Sequence, residues 1–186
     1  MYAGFSQEAI QVVNHDLQIA QSRIRADLDH AHMVQVGLLP QDIETTGGFS
    51  VGARYFSADA VGGDYYDLFE TAPGIYSLVV ADVSGHGIAS ALIMSMVKML
   101  PKTFAPIEQS PQKTLERINR SFLSDVKTDN FVTIFYAVID TTAHTVRYTS
   151  AGHCPILFLD RAQRLCTQIK ADAKVEDDIT LLIVDL

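Results

Sequence analysis

Between Gly4 and Gly37 the chain carries neither glycine nor proline, and its apolar residues return every seven positions. Ile10, Leu17, Ile24, Ala31 and Leu38 form one row. Val13, Ala20 and Val34 form a second row, three residues further on, broken once at Asp27. Polar residues fill most of the places between. This pattern predicts a long amphipathic helix from about Phe5 to Leu39, with the a and d positions of a heptad on one stripe, ended by Pro40. So narrow a stripe faces either the domain's own core or a second copy of the helix. The expectation is a homodimer through this helix. Leu28 takes over the seam beside Asp27, which costs stability and sets register.

From Phe49 the period shortens. Alternating or short apolar runs rich in Val, Ile, Phe, Tyr and Thr predict strands at Ser50–Phe56, Tyr65–Phe69, Ile75–Asp82, Phe131–Asp140, Thr145–Ala151, Ile156–Leu159 and Ile179–Asp185. Pro73-Gly74 and Thr141 to His144 mark turns between neighbouring strands. Two helices interrupt the series. One covers Ile88 to Leu100 and is closed by Pro101; the other starts at the cap-and-first-turn pair Ser110-Pro111 and carries Leu115, Ile118, Phe122 and Val126 at helical spacing. A helix, then strands, two helices, then strands again predicts an α+β fold with largely antiparallel sheets and helices covering them. The division expected is a leading helix over 1–40 and a domain over 41–186.

Composition narrows the function. The 186 residues are 48 % apolar and 19 % charged, enough for a sizeable core. Fourteen Lys and Arg against 22 Asp and Glu give a net charge of −8, which excludes a general nucleic-acid or anionic-membrane binder. Two cysteines, Cys154 and Cys166, form no disulfide framework. No apolar run reaches the length of about 18 residues that a membrane span needs. Met1 to Ile10 lacks the basic start and apolar middle of a signal peptide, which argues for a cytoplasmic chain.

Candidate chemistry sits where strands begin or stop. Asp64 and Asp67 follow Gly62-Gly63, Asp82 precedes Val83-Ser84-Gly85-His86-Gly87, and Glu176-Asp177-Asp178 opens the last strand. Acids beside buried strands are costly unless paired, hydrogen-bonded or bound to a cation. Glycine neighbours allow tight turns and close approach of a ligand. Hard oxygen ligands without a Cys or His cluster favour Mg²⁺ or Mn²⁺ over Zn²⁺. Each acid taken singly also reads as an ordinary turn or edge residue. Spacing alone therefore stops at a divalent-metal site.

These strings also form a known series. Gly62-Gly63-Asp64-Tyr65-Tyr66-Asp67 and Ala81-Asp82-Val83-Ser84-Gly85-His86-Gly87 are followed in order by Asn130-Phe131-Val132-Thr133-Ile134-Phe135-Tyr136, Ser150-Ala151-Gly152-His153-Cys154-Pro155 and Asp177-Asp178-Ile179-Thr180-Leu181-Leu182. Together they resemble the PPM-type metal-dependent protein phosphatases, in the bacterial branch typified by the sporulation stage II E and sigma-factor-regulator phosphatases. Leu38-Leu39-Pro40 resembles the end of the helix that precedes this domain. The resemblance covers about residues 28–186.

It implies an antiparallel β-sandwich flanked by helices, in α-β-β-α layers, with two Mn²⁺ or Mg²⁺ ions at one end. It implies hydrolysis of phosphoserine or phosphothreonine on a protein, often an anti-sigma-factor antagonist in this branch. By position, Asp64 and Asp82 are implied metal ligands, Asp82 bridging the ions, with the Val83 carbonyl, Asp177 and, with less weight, Asp178. Paired ions acidify a shared water and clamp the phosphoryl oxygens, so no protein nucleophile is needed. The leaving seryl oxygen takes its proton from water, with His86 as an alternative donor; the bland reading of His86 is a loop residue. Ser84 lacks the Gly-x-Ser-x-Gly spacing of a nucleophile. Arg54 is the nearest option for a phosphate-binding arginine.

The match breaks between Asp160 and Glu176. The family there carries a Thr-Asp-Gly strand whose Asp binds metal, and this chain has no Thr-Asp-Gly; Asp172 is the one acid inside the gap. The lost ligand weakens the second ion site and leaves one ion as an option here. The lost strand and helices leave a sheet edge or apolar face uncovered. The alternative to an active phosphatase is therefore a weak or inactive pseudophosphatase that serves as a dimeric interaction module.

Overall fold

A computed structural model describes residues 7–40, 50–154, 158–160, 165–167 and 179–185. Helix α1 covers Gln7–Leu38; strands β1 (Ser50–Phe56), β2 (Tyr65–Ala72) and β3 (Ile75–Val83) follow. Helices α2 (Ile88–Phe104) and α3 (Pro111–Asp125) come next, then β4 (Val132–Asp140), β5 (Thr145–Ala151), β6 (Phe158–Asp160), β7 (Leu165–Thr167) and β8 (Ile179–Asp185). The expected α+β architecture is what forms. A four-stranded antiparallel sheet runs β2-β3-β4-β5, and β1 pairs antiparallel with β8 in a second sheet.

Alternation along the central strands gives the sheet two apolar faces. Tyr65, Val79, Ala81, Val83, Ile134, Tyr136 and Val138 pack under Ile93, Met94 and Val97 of α2 and Leu115 and Ile118 of α3. The opposite parity, Leu68, Tyr76, Leu78, Val80, Phe135, Ala137 and Ile139, forms a second cluster against which Val51 of β1 packs. Strand β5 closes the sheet as an exposed edge, with Tyr148 69 % exposed.

Helix α2 departs from the expectation of a stop at Pro101. It runs through the proline to Phe104, and the Pro101 carbonyl accepts a hydrogen bond from the Ala105 N–H at 2.8 Å. A proline forfeits the bond to the carbonyl four residues before it. Here Pro101 and Ala105 are buried and Phe104 packs on the core, so tertiary burial outweighs the lost bond. Helix α3 begins as its sequence predicts, with Ser110 as N-cap and Pro111 in the first turn.

Among the described residues, helix α1 is buried against the domain near its end. Its 32 residues span about 48 Å. Residues 11–27 are exposed throughout, whereas Gln35 and Leu39 are buried. The Lys98 ammonium of α2 donates to the Leu38 carbonyl, which ties down the last turn.

Candidate metal centre

The antiparallel register decides which acids meet. Tyr65 of β2 pairs with Ala81 of β3. Asp64 immediately precedes β2, and Asp82 is the next residue of β3 after Ala81, so the two acids flank the first pair of this ladder. Asp64 is buried and Asp82 half-buried. Asp82 in turn pairs with Thr133 of β4, whose hydroxyl lies 2.9 Å from Nδ1 of His153. Burial lowers the pKa of His153 below its ordinary value. The Ala-Gly-His string thus closes one side of the row that Asp64 and Asp82 begin.

Close backbone packing explains the glycine before Asp64. A Cβ on Gly63 would stand 2.7 Å from the carbonyl oxygen of Val83, so any side chain there would push the two strand ends apart. Val83 therefore has its carbonyl beside the Gly63-Asp64 backbone, and a carbonyl oxygen keeps a second lone pair for another partner. The loop after β3 is stapled to the start of β4. Ser84 N–H donates to the Phe131 carbonyl at 2.9 Å, Ser84 Oγ accepts from Phe131 N–H at 2.9 Å, and Asn130 Nδ2 donates to the Ser84 carbonyl at 2.5 Å. Ser84 is thereby a structural hydroxyl. Gly87, with φ at 79°, then turns the chain into α2.

His86 and Arg54 stand apart from the pair. The His86 side chain is 80 % exposed, and its Nδ1 lies 2.9 Å from the Asp59 carboxylate. That pairing ties the loop after β3 to the segment after β1. Arg54 falls on the exposed parity of β1 and lines a cavity of about 580 Å³ with Tyr66, Asp59 and His32. Asp64 and Asp82 are not among the described residues that line it. Asp172, Asp177 and Asp178 lie outside the described residues. Strand β8 begins at Ile179, which pairs with Phe56, the last residue of β1.

Two further residues tie neighbouring elements together. Asp67 looks like part of the acidic string, yet it has the opposite parity to Asp64. It accepts from the Tyr65 phenol at 2.8 Å and pairs with Lys102 of α2 at 2.9 Å. Burial first, then Asp67, pushes the Tyr65 phenol far above its ordinary pKa, so it stays a donor. Burial also lowers the pKa of Lys98, which lies 5.8 Å from the centre of the Tyr65 ring. Gln35 is the second. From α1 it bonds both backbone groups of Gly62, at 2.6 and 2.9 Å.

An oxygen-only donor set on two opposed strand ends suits a hard divalent cation. Among the described residues no group of three or more His, Cys, Asp or Glu side chains converges. The donors that the described residues offer at these strand ends are the carboxylates of Asp64 and Asp82 and the Val83 carbonyl.

Comparison with known proteins gives a consistent picture. Residues 72–172 match the family model described as Stage II sporulation protein E (SpoIIE). Phosphoserine phosphatase RsbU of Bacillus subtilis (strain 168) is 30 % identical over 155 residues, which cover 83 % of this chain and 46 % of the relative. Phosphoserine phosphatase RsbP of the same organism is 27 % identical over 140 residues, covering 73 % of this chain and 34 % of the relative. The chain spans less than half the length of either. Among solved structures, the SiaA-PP2C domain of Pseudomonas aeruginosa superposes with a TM-score of 0.67 at 18 % identity, covering 88 % of this chain and 68 % of that one. At that identity it speaks for the fold.

Proposed function

Since the chain belongs to the Stage II sporulation protein E (SpoIIE) family, we propose that it is a metal-dependent phosphatase domain acting on phosphoserine or phosphothreonine of a regulatory protein, such as an anti-sigma-factor antagonist. One observation supports this reading: Asp64 and Asp82 flank the first pair of the β2–β3 ladder, Tyr65 and Ala81, at a glycine-bearing strand end. Two like charges held side by side repel, and a divalent cation relieves that repulsion. Asp64, Asp82, the Val83 carbonyl, Asp177 and Asp178 would hold Mn²⁺ or Mg²⁺. The family uses two ions; a chain without Thr-Asp-Gly retains a stronger and a weaker site, or one alone. When bound, such ions supply an acidified water and a Lewis-acid clamp on phosphoryl oxygens.

The chain's own residues bind and orient. Asp64 and Asp82 fix where cations sit. Thr133 and His153 close the adjoining side. Arg54 would draw the phosphate from the neighbouring cavity, and exposed His86 is a proton donor of second rank to water. No described helix is long and apolar enough to cross a membrane, and the acidic chain disfavours nucleic acid. We place the protein in the cytoplasm, with its domain over 41–186 and a dimerising helix over 1–40. Ile10, Val13, Leu17, Ile24 and Val34, all predicted seam positions, are each more than half exposed, as an unpaired coiled-coil stripe would be.

Phosphate release from p-nitrophenyl phosphate or a phosphoserine peptide tests the reading. Release should require Mn²⁺ and fall to the metal-free rate in Asp82→Asn. An unchanged rate in that variant would refute the metal mechanism. A second reading, a dimeric interaction module without catalysis, is favoured by the missing Thr-Asp-Gly acid. It predicts no Mn²⁺-dependent release at all from a chain that still dimerises.

A further inference from the structure

We infer that Gln35 is a positioning residue for the cation site, fixing Asp64 through the backbone of Gly62; this rests on the cation-binding reading above. The Gln35 Nε2 donates to the Gly62 carbonyl at 2.6 Å, and the Gly62 N–H donates to Gln35 Oε1 at 2.9 Å. One side-chain amide thus satisfies both polar groups of a buried glycine 27 residues away, as a neighbouring strand would. The orientation is forced, because exchanging the amide oxygen and nitrogen would set donor against donor.

The bond is built to hold position. Gln35 is 4 % exposed, so water does not compete for it. Its own turn of α1 is pinned by buried Leu39 and by Lys98 on the Leu38 carbonyl. On the other side of the loop, Gly63 rests against the Val83 carbonyl. Gly62 and Gly63 have no side chains of their own to anchor the backbone, so Gln35 and Val83 do it from without. Asp64 follows directly, and any slack at Gly62 displaces its carboxylate relative to Asp82. Only a tip that offers one donor and one acceptor meets the requirement. An ionised glutamate there would turn one bond into oxygen–oxygen repulsion.

The test measures Mn²⁺ affinity by calorimetry and Gly62 amide exchange by NMR in metal-free protein. The chains are the unaltered protein, Gln35→Ala, Gln35→Glu and, as a control of fold stability, Ile118→Val in the distant α3 core. Both Gln35 variants should bind Mn²⁺ about 10- to 100-fold more weakly, the usual effect of losing an outer partner of a metal site. Their Gly62 amide should exchange faster. Ile118→Val should lower the melting temperature and leave the affinity unchanged. Equal affinities in the unaltered and Gln35 variants would overturn the inference and leave the cation reading standing. So would an equal loss in Ile118→Val, since general destabilisation then accounts for it. No Mn²⁺ binding by the unaltered chain would overturn the cation reading, and the inference with it.

Discussion

Asp64 and Asp67 stand three residues apart at one strand start, and parity sends them to opposite faces of the sheet. Asp67 points to the helix face, where Lys102 neutralises it and the Tyr65 phenol donates to it. It welds β2 to α2. Asp64 sits just before β2, beside the Tyr65–Ala81 pair that Asp82 follows in β3. Buried acids in one short string can therefore have opposed purposes. The side chain across the sheet, and not the motif, tells a structural carboxylate such as Asp67 from one proposed to hold a cation.

Exchanging amide for acid at each position breaks this comparison. Asp64→Asn should cut Mn²⁺ affinity by about a hundredfold or more, given that even outer partners are worth ten- to hundredfold. Metal-free stability should hold or rise, because a repulsion is removed. Asp67→Asn should do the reverse, keeping Mn²⁺ affinity while losing about 2 kcal/mol in denaturant unfolding, the value of a charge-assisted hydrogen bond to a buried carboxylate. If both variants lose the same property, the division by parity fails.

A contrast of the same sort runs along α1. Its last turn is buried in the domain, and its outer part shows the apolar seam to solvent. Leu17→Asp combined with Ile24→Asp should turn a dimer into a monomer in sedimentation, while the domain's melting temperature shifts little. One mass for both proteins would remove the coiled-coil proposal.

Much of this was legible in the residues because strand alternation and turn residues are local signals. Thr145–Ala151 and Ile179–Asp185 form with the predicted bounds, and Ser110-Pro111 starts its helix. What failed was decided by contacts between distant segments. Pro101 reads as a stop, yet burial carries α2 past it. Leu165–Thr167 is too short to show a period. Asp67 reads as one of the acids of a site until the Lys102 ammonium is seen beside it. Gln35 carries no signal at all, for a glutamine on an amphipathic helix looks like a solvated residue until Gly62 meets it. Asp64 and Asp82 were expected as ligands by resemblance, and their positions beside the Tyr65–Ala81 pair support that proposal.

The most direct measurement is the anomalous scattering of manganese in crystals of the chain soaked with Mn²⁺. The account predicts a peak bonded to the carboxylates of both Asp64 and Asp82. A map with no peak between them, or with the two side chains turned to solvent on separate faces, would contradict it.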